Sequence, residues 1–434
     1  MDDGTKQVPR FLTDRRRLLM GLAGSAAGVA AGKTAGAAQQ PQSEVTQAPQ
    51  SEQARRAQPF HGAHQSGIVT PRPAAGMIVA FDTLAESPEE VERLFATLTE
   101  RFRFLMAGGP VPELDPKLPP ADSGILGPVV APDNLTMTLS LGHSFFDARP
   151  WLHPLKPRCL QRMTRFPNDA LDPALCHGDL SIQICANTPD ATIHALRDII
   201  KSLPDLLVIR WKQEGTVPIV PPSPDGAQES ARNFLGFRDG SANPDSRDAA
   251  LMNTLVWVGD GVEEPAWADA GTYQAVRIVR NLVERWDRTP LGEQEAIIGR
   301  RKASGAPLGS SGTEIEVPDY ARDPDGSVTP LDAHIRLANP RRPDTQKNLM
   351  LRRPFNYSNG VTRNGQLDQG LLFIAYQADL DQSFIAIQQR LDGEPLEEYI
   401  KPVGGGYFFT LPGVRDEEDF LGRSLLQAAS DLKA

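Results

Sequence analysis

The order in which strand-type and helix-type runs follow one another is what most constrains this chain. Gly76 to Asp82 is a short apolar run of strand type. Ser87-Pro88-Glu89-Glu90 reads as a helix start, with proline in the first turn and acids at the positive end of the dipole. Val91, Leu94, Phe95, Leu98 and Phe102 then recur at helical spacing. Leu135 to Leu141 and Asp179 to Cys185 alternate as strands, Thr188-Pro189-Asp190 caps a helix running to about Ser202, and Leu206 to Trp211 is a fourth strand. This is the split βαβ, or ferredoxin-like, order. The order then comes again: a strand from Gly271 to Ile278, a helical region opening at Leu282 to Trp286, strands at Leu349 to Arg352 and Gly370 to Tyr376, a helix from Ser383 to Leu391, and a strand from Gly406 to Leu411. The expected fold is α+β, with two ferredoxin-like domains packed together (dimeric α+β barrel-like), over 61–225 and 226–434.

The chain of 434 residues is long enough for this, and its 45 basic against 55 acidic residues leave a charge of −10. That balance gives no general electrostatic case for nucleic acid or an anionic membrane. Cys159, Cys176 and Cys185 make neither a disulfide framework nor a Cys-x-x-Cys pair, which argues against structural zinc and covalently attached haem. Asp14-Arg15-Arg16-Arg17-Leu18-Leu19-Met20 precedes an Ala/Gly-rich apolar run and a small-residue cleavage site at Ala35-Gly36-Ala37. Residues 1–38 resemble a twin-arginine export signal, with an ordinary Sec signal as the alternative. The expected location is periplasmic, or extracellular in a single-membrane source. Residues 39–60 are Gln/Ser/Ala/Pro-rich and read as a disordered linker.

Chemistry concentrates in the C-terminal half. Gly236-Phe237-Arg238-Asp239-Gly240 brackets a carboxylate with glycines, which lets a loop aspartate face a pocket, although a plain turn aspartate would look the same. His334, one of seven histidines, lies in His334-Ile335-Arg336-Leu337-Ala338-Asn339-Pro340-Arg341, and the Arg352-Arg353 pair follows. Together with His64-Gln65-Ser66-Gly67-Ile68 and Gly404-Gly405-Gly406-Tyr407-Phe408-Phe409, these motifs resemble those of dye-decolourising (DyP-type) haem peroxidases. The resemblance covers about His61 to Val414 and, with the export signal, is nearest the exported deferrochelatase/peroxidase branch. The family fold is a pair of ferredoxin-like domains with haem in the C-terminal half.

The resemblance implies one haem b per subunit, with His334 as the axial ligand to iron and the opposite face open to hydrogen peroxide. Asp239 takes the acid–base role, carrying a proton between the peroxide oxygens, and a carboxylate of ordinary acidity implies an acidic optimum. Arg352 places a fixed charge where negative charge develops. The other ring nitrogen of His334 calls for a carboxylate, and Asp379 at a strand end is the candidate, with a plain helix N-cap as its alternative. For the haem propionates the candidates are the backbone at Gly240, Ser241 and Ala242, the segment Asn339, Pro340 and Arg341, and Arg336, which a strand would keep on the face of His334. Pro354 departs from the family pattern, in which a small residue often follows the arginine pair. Dyes, phenols or porphyrins are the implied donors, reached through aromatics such as Trp257, Trp267, Trp286 or Tyr376. A homodimer is implied, as is a second reading, release of iron from haem within a ferrous-iron uptake system.

Overall fold

The computed structural model describes residues 54–220, 229–259, 261 and 263–433. The export signal, most of the linker and the proposed boundary at 225/226 lie outside the described residues. Eight strands carry the architecture: β1 (Ala75–Thr83), β2 (Thr136–Gly142), β3 (Leu180–Ala186), β4 (Leu207–Thr216), β5 (Thr272–Asn281), β6 (Phe355–Val361), β7 (Leu367–Gln377) and β8 (Ile400–Thr410). Their order is β5-β8-β2-β3-β1-β4-β6-β7, and β7 pairs back onto β5, so the antiparallel sheet closes on itself. Each half contributes its four strands in the order second, third, first, fourth, as a ferredoxin-like unit does. The two junctions are equivalent, each joining the last strand of one half to the second of the other. One is β8 on β2, from Phe408 opposite Gly142 to Thr410 opposite Ser140; the other is β4 on β6, at Thr216 opposite Asn356.

Closure explains why β1 is apolar on both faces. Ile78 and Ala80 point into the barrel with Trp211, Ile278, Phe355, Ile374, Tyr376 and Phe408, while Met77, Val79 and Phe81 point out under helices. Helix α1 (Pro88–Ala107) starts with a full capping box between Ser87 and Glu90 and buries Val91, Leu94, Phe95, Leu98 and Phe102, as its spacing predicts. Helix α2 (Pro189–Ser202) is capped by the Thr188 side chain and covers the same outer face. Gly405 belongs to the glycine run for a steric reason: with φ of +127°, a Cβ there would stand 2.0 Å from the Val276 carbonyl oxygen of β5.

The sequence reading missed one strand. Leu351–Arg352 is only a two-residue strand beside β7, and on the edge of β7 away from β5 the longer partner is β6, starting at Phe355. Pro354 offers no N–H to a ladder and separates the two pieces. Among the described residues, no helix is long and apolar enough to cross a membrane.

Candidate active site

Strand alternation in the second half puts Arg277, Val279 and Asn281 of β5 on the outer face, beside Leu371 and Phe373 of β7 and Ile400 and Pro402 of β8. These residues floor a cavity of about 280 Å³. Its opposite wall is made by helix α3 (His334–Ala338), by Phe384 on a π-helical turn (Asp381–Ile385), and by Ile387, Gln388 and Leu391 of helix α4 (Ala386–Leu391). Asp239, Gly240, Ser241, Ala242 and Arg352 close one end.

The Asp239 loop is fixed by its own polar groups. The Asn233 side-chain oxygen accepts from the backbone N–H of Leu235 and Phe237, and Gly236 turns the chain at φ of +88°. A side chain at Gly236 would also run into Lys302, at 2.5 Å. Beneath the loop, Trp286 is fully buried, donates its indole N–H to the Leu235 carbonyl, and packs edge-on against Phe237 and Tyr399. The buried Glu314 carboxylate accepts from the Ser230 backbone and hydroxyl and from the Ser241 hydroxyl. Asn243 exchanges two hydrogen bonds with the Arg352 backbone, at 2.8 and 3.0 Å, which ties the loop to the strand. As a result Arg352 Nη1 stands 3.3 Å from Asp239 Oδ1, both side chains partly open to the cavity.

His334 opens α3. Its Nδ1 lies 2.7 Å from Glu394 Oε2, and the Glu394 side chain is 3% exposed. A carboxylate oxygen accepts, so Nδ1–H donates, and in the neutral ring Nε2 keeps its lone pair. A third of the imidazole surface faces the cavity. Burial works against a charged ring here, but the charge and hydrogen bond of Glu394 outweigh it and raise the pKa of His334 above the ordinary value.

Several sequence-based assignments move. Glu394, not Asp379, is the carboxylate on His334. Asp379 accepts from the Gln382 backbone and side chain, pairs with Arg158 and caps the π-helical turn, which is the N-cap alternative. Arg336 does not reach the cavity. The segment is helical rather than extended, so two residues turn it about 200° away from His334. Its guanidinium instead holds the Asp323 side chain and the carbonyls of Asp323 and Thr329, over the Tyr320 ring. Asn339 and Arg341 border the cavity; Pro340 does not. Trp257, Trp267, Trp286 and Tyr376 are core residues, each 6% exposed or less. Arg300, Glu314 and Glu394 were missed, because their partners are brought in by the fold and no local spacing announces them.

The cavity fits haem. Phe373, Phe384, Leu371, Ile387, Leu391 and Leu396 give it apolar walls, and the Nε2 nitrogen of His334 is a donor of the kind that haem iron takes. Arg341 and Arg300 border it as cations, and the Arg341 Nε is buried without a hydrogen-bond partner, as a carboxylate arm would require. Burial lowers the pKa of both arginines, and the nearby Tyr320 opposes this.

Comparison with known proteins agrees. The profile "Dyp-type peroxidase, N-terminal" matches residues 65–216 and "Dyp-type peroxidase, C-terminal" matches residues 230–415. The deferrochelatase of Shigella flexneri serotype 5b is 60% identical over 371 residues, 85% of this chain and 88% of that protein. The DyP-type peroxidase from Streptomyces coelicolor superposes with a TM-score of 0.78 at 35% identity, covering 87% of this chain and 99% of the other. Ferric DtpA from Streptomyces lividans gives 0.77 at 35% identity, with the same coverage.

Proposed function

This chain belongs to the Dyp-type peroxidases, a family of haem-dependent enzymes, and we propose that it uses haem b held by His334 to reduce hydrogen peroxide at the expense of organic donors. The observation that carries the reading is the facing pair within one cavity: a histidine backed by a buried carboxylate, and an aspartate 3.3 Å from an arginine. When bound, haem would supply a redox-active iron with one face free for peroxide. Glu394 orients the His334 ring and fixes its tautomer. Asp239 takes the proton of the peroxide oxygen nearer the cofactor and delivers it to the farther one, so that the latter can leave as water. Arg352 stays charged throughout and stabilises the negative charge that develops as the oxygen–oxygen bond breaks. Arg341 and Arg300 are placed to neutralise carboxylate arms. Phenols, dyes or porphyrins would serve as donors, and a homodimer exported by the twin-arginine route to the periplasm completes the proposal.

A second reading, favoured by the 60% identity to deferrochelatases, is removal of iron from haem, supplying a ferrous-iron uptake system. Absorption spectra of the haem-loaded protein and its His334→Ala variant, followed by rapid mixing with peroxide, test the first reading. We expect the variant to lose its Soret band. Asp239→Asn should keep the band while its reaction with peroxide slows by about 10²–10⁴-fold. A Soret band retained in His334→Ala would sink the axial assignment. An unslowed Asp239→Asn would sink the proton-transfer assignment. Iron-free porphyrin released from haem, without donor oxidation, would favour the second reading.

A further inference from the structure

Met350 and Arg352, on either side of Leu351, both border the cavity, while Leu351 packs inside the barrel. A thioether thus shares the cavity wall with the guanidinium that meets Asp239. Among the described residues that line the cavity, Met350 is the one sulfur-bearing side chain, and none is tyrosine or tryptophan. His334 is held by Glu394 on one nitrogen and offers the other to iron. The remaining lining side chains are aliphatic, phenyl, amide, carboxylate, hydroxyl or guanidinium groups, all poor reductants. The polarisable sulfur of Met350 is therefore the most readily oxidised group on the cavity wall.

Exposure to solvent does not single it out. Met350 is 6% exposed, as is Met163, which belongs to the same apolar cluster but does not border the cavity. Met77, Met106, Met137 and Met252 are 2% exposed or less. Peroxide arriving from solvent would have no reason to prefer Met350 over Met163. Peroxide activated inside the cavity would.

We propose that Met350 is a self-modification site: without an external donor, its thioether takes an oxygen atom from peroxide in the cavity and becomes methionine sulfoxide. This rests on the peroxidase reading above. The sulfur–oxygen bond forms as the oxygen–oxygen bond breaks. Sulfur gives up an electron pair and peroxide accepts it. The farther oxygen leaves as water, with the proton that Asp239 delivers to it. No further oxidant or reductant is consumed. The product replaces an apolar stretch of the wall beside Arg352 with a polar, hydrogen-bond-accepting one, and enzymatic sulfoxide reduction is the class of reaction that reverses it.

The test is peptide mass spectrometry of the haem-loaded protein after donor-free treatment with heavy-oxygen hydrogen peroxide, with the Soret band recorded on the same sample. Protein loaded with zinc protoporphyrin, which has the same macrocycle without iron, is treated alongside. We expect the Met350 peptide of the haem-loaded sample to gain one heavy oxygen, while the Met163 peptide stays unmodified. The gain should vanish with zinc protoporphyrin and fall in Asp239→Asn along with its reaction with peroxide. A Soret band that responds to peroxide, with no heavy oxygen at Met350, overturns the proposal and leaves the peroxidase reading standing. Equal labelling of Met350 and Met163, or equal labelling of Met350 in the zinc sample, overturns it too, since peroxide in solution would then be sufficient. A Soret band unmoved by peroxide removes the peroxidase reading and this proposal together.

Discussion

In the first half of the barrel, the outer face of the sheet lies under α1 and α2, of 20 and 14 residues. A 20-residue helix spans about 30 Å, enough to cover a strand from end to end. In the second half, α3 has five residues, and α4 has six that continue the five-residue π-helical turn before it; both stand off the sheet. The strand order is the same, so the frame alone does not make a site. The site arises where long helices are replaced by short ones and loops, which leaves a gap between sheet and cover and lines it with chain ends that carry polar groups. Phe95 and His334 occupy corresponding layers, but one fills a core and the other faces a cavity.

That contrast can be broken from the packed side. Phe95 is fully buried on α1, stacked 5.8 Å from Phe145. Phe95→Ala should cost about 3–5 kcal/mol of stability, read from denaturant or thermal unfolding. At low temperature its Soret band and its rate with peroxide should match wild type, since nothing in the cavity leans on that ring. If haem loading fell in step with stability, the two layers would be one cooperative unit, and the division drawn here would be wrong.

The packed half was the more legible in the sequence. Ser87 and Glu90, three residues apart, announce the start of α1, and its apolar spacing declares which face it buries, because both signals are local. Asp239, His334 and Arg352 were recognisable as a set, although 113 residues separate the pair that meets. Their supports were not. Glu394 lies 60 residues from His334, while Asp379 stood at a plausible strand end. Only the path of the chain through α4 decides which acid arrives. Arg336 was misplaced by the wrong period: two residues on, a strand returns to the same face and a helix does not.

The Glu394 assignment gives the next smaller effect. Gln at 394 keeps an acceptor for Nδ1 but removes the charge that raises the basicity of the ring. Glu394→Gln should weaken haem binding about 10–100-fold in a Soret titration, with Asp379→Asn as the matched control that leaves it unchanged. Equal loss in both variants would mean that the carboxylates act on the cover as a whole rather than on His334.

The smallest effect expected lies in the first half, at the chain entry to β3. His177 sits at φ of +64°, with Nδ1 buried and unpartnered, and Trp211 donates its indole N–H to the His177 carbonyl. Burial first, and then the charges of Arg162, His143 and Arg210, lower its pKa to about 4. The unfolded chain would bind this proton near pH ~6.5. Between those values the unfolded state therefore holds more protons, and stability falls as pH drops from 6.5 towards 4, then levels off. The residue is partly open to solvent, so screening trims the effect to roughly 1 kcal/mol. Asparagine tolerates the left-handed backbone, so His177→Asn tests the titration without adding strain. Its melting temperature should decline less than that of wild type across this window, while the Soret band stays the same. A parallel decline in both proteins would assign the acid sensitivity to other groups. A changed Soret band would show that the two halves of the barrel are coupled through β3 after all.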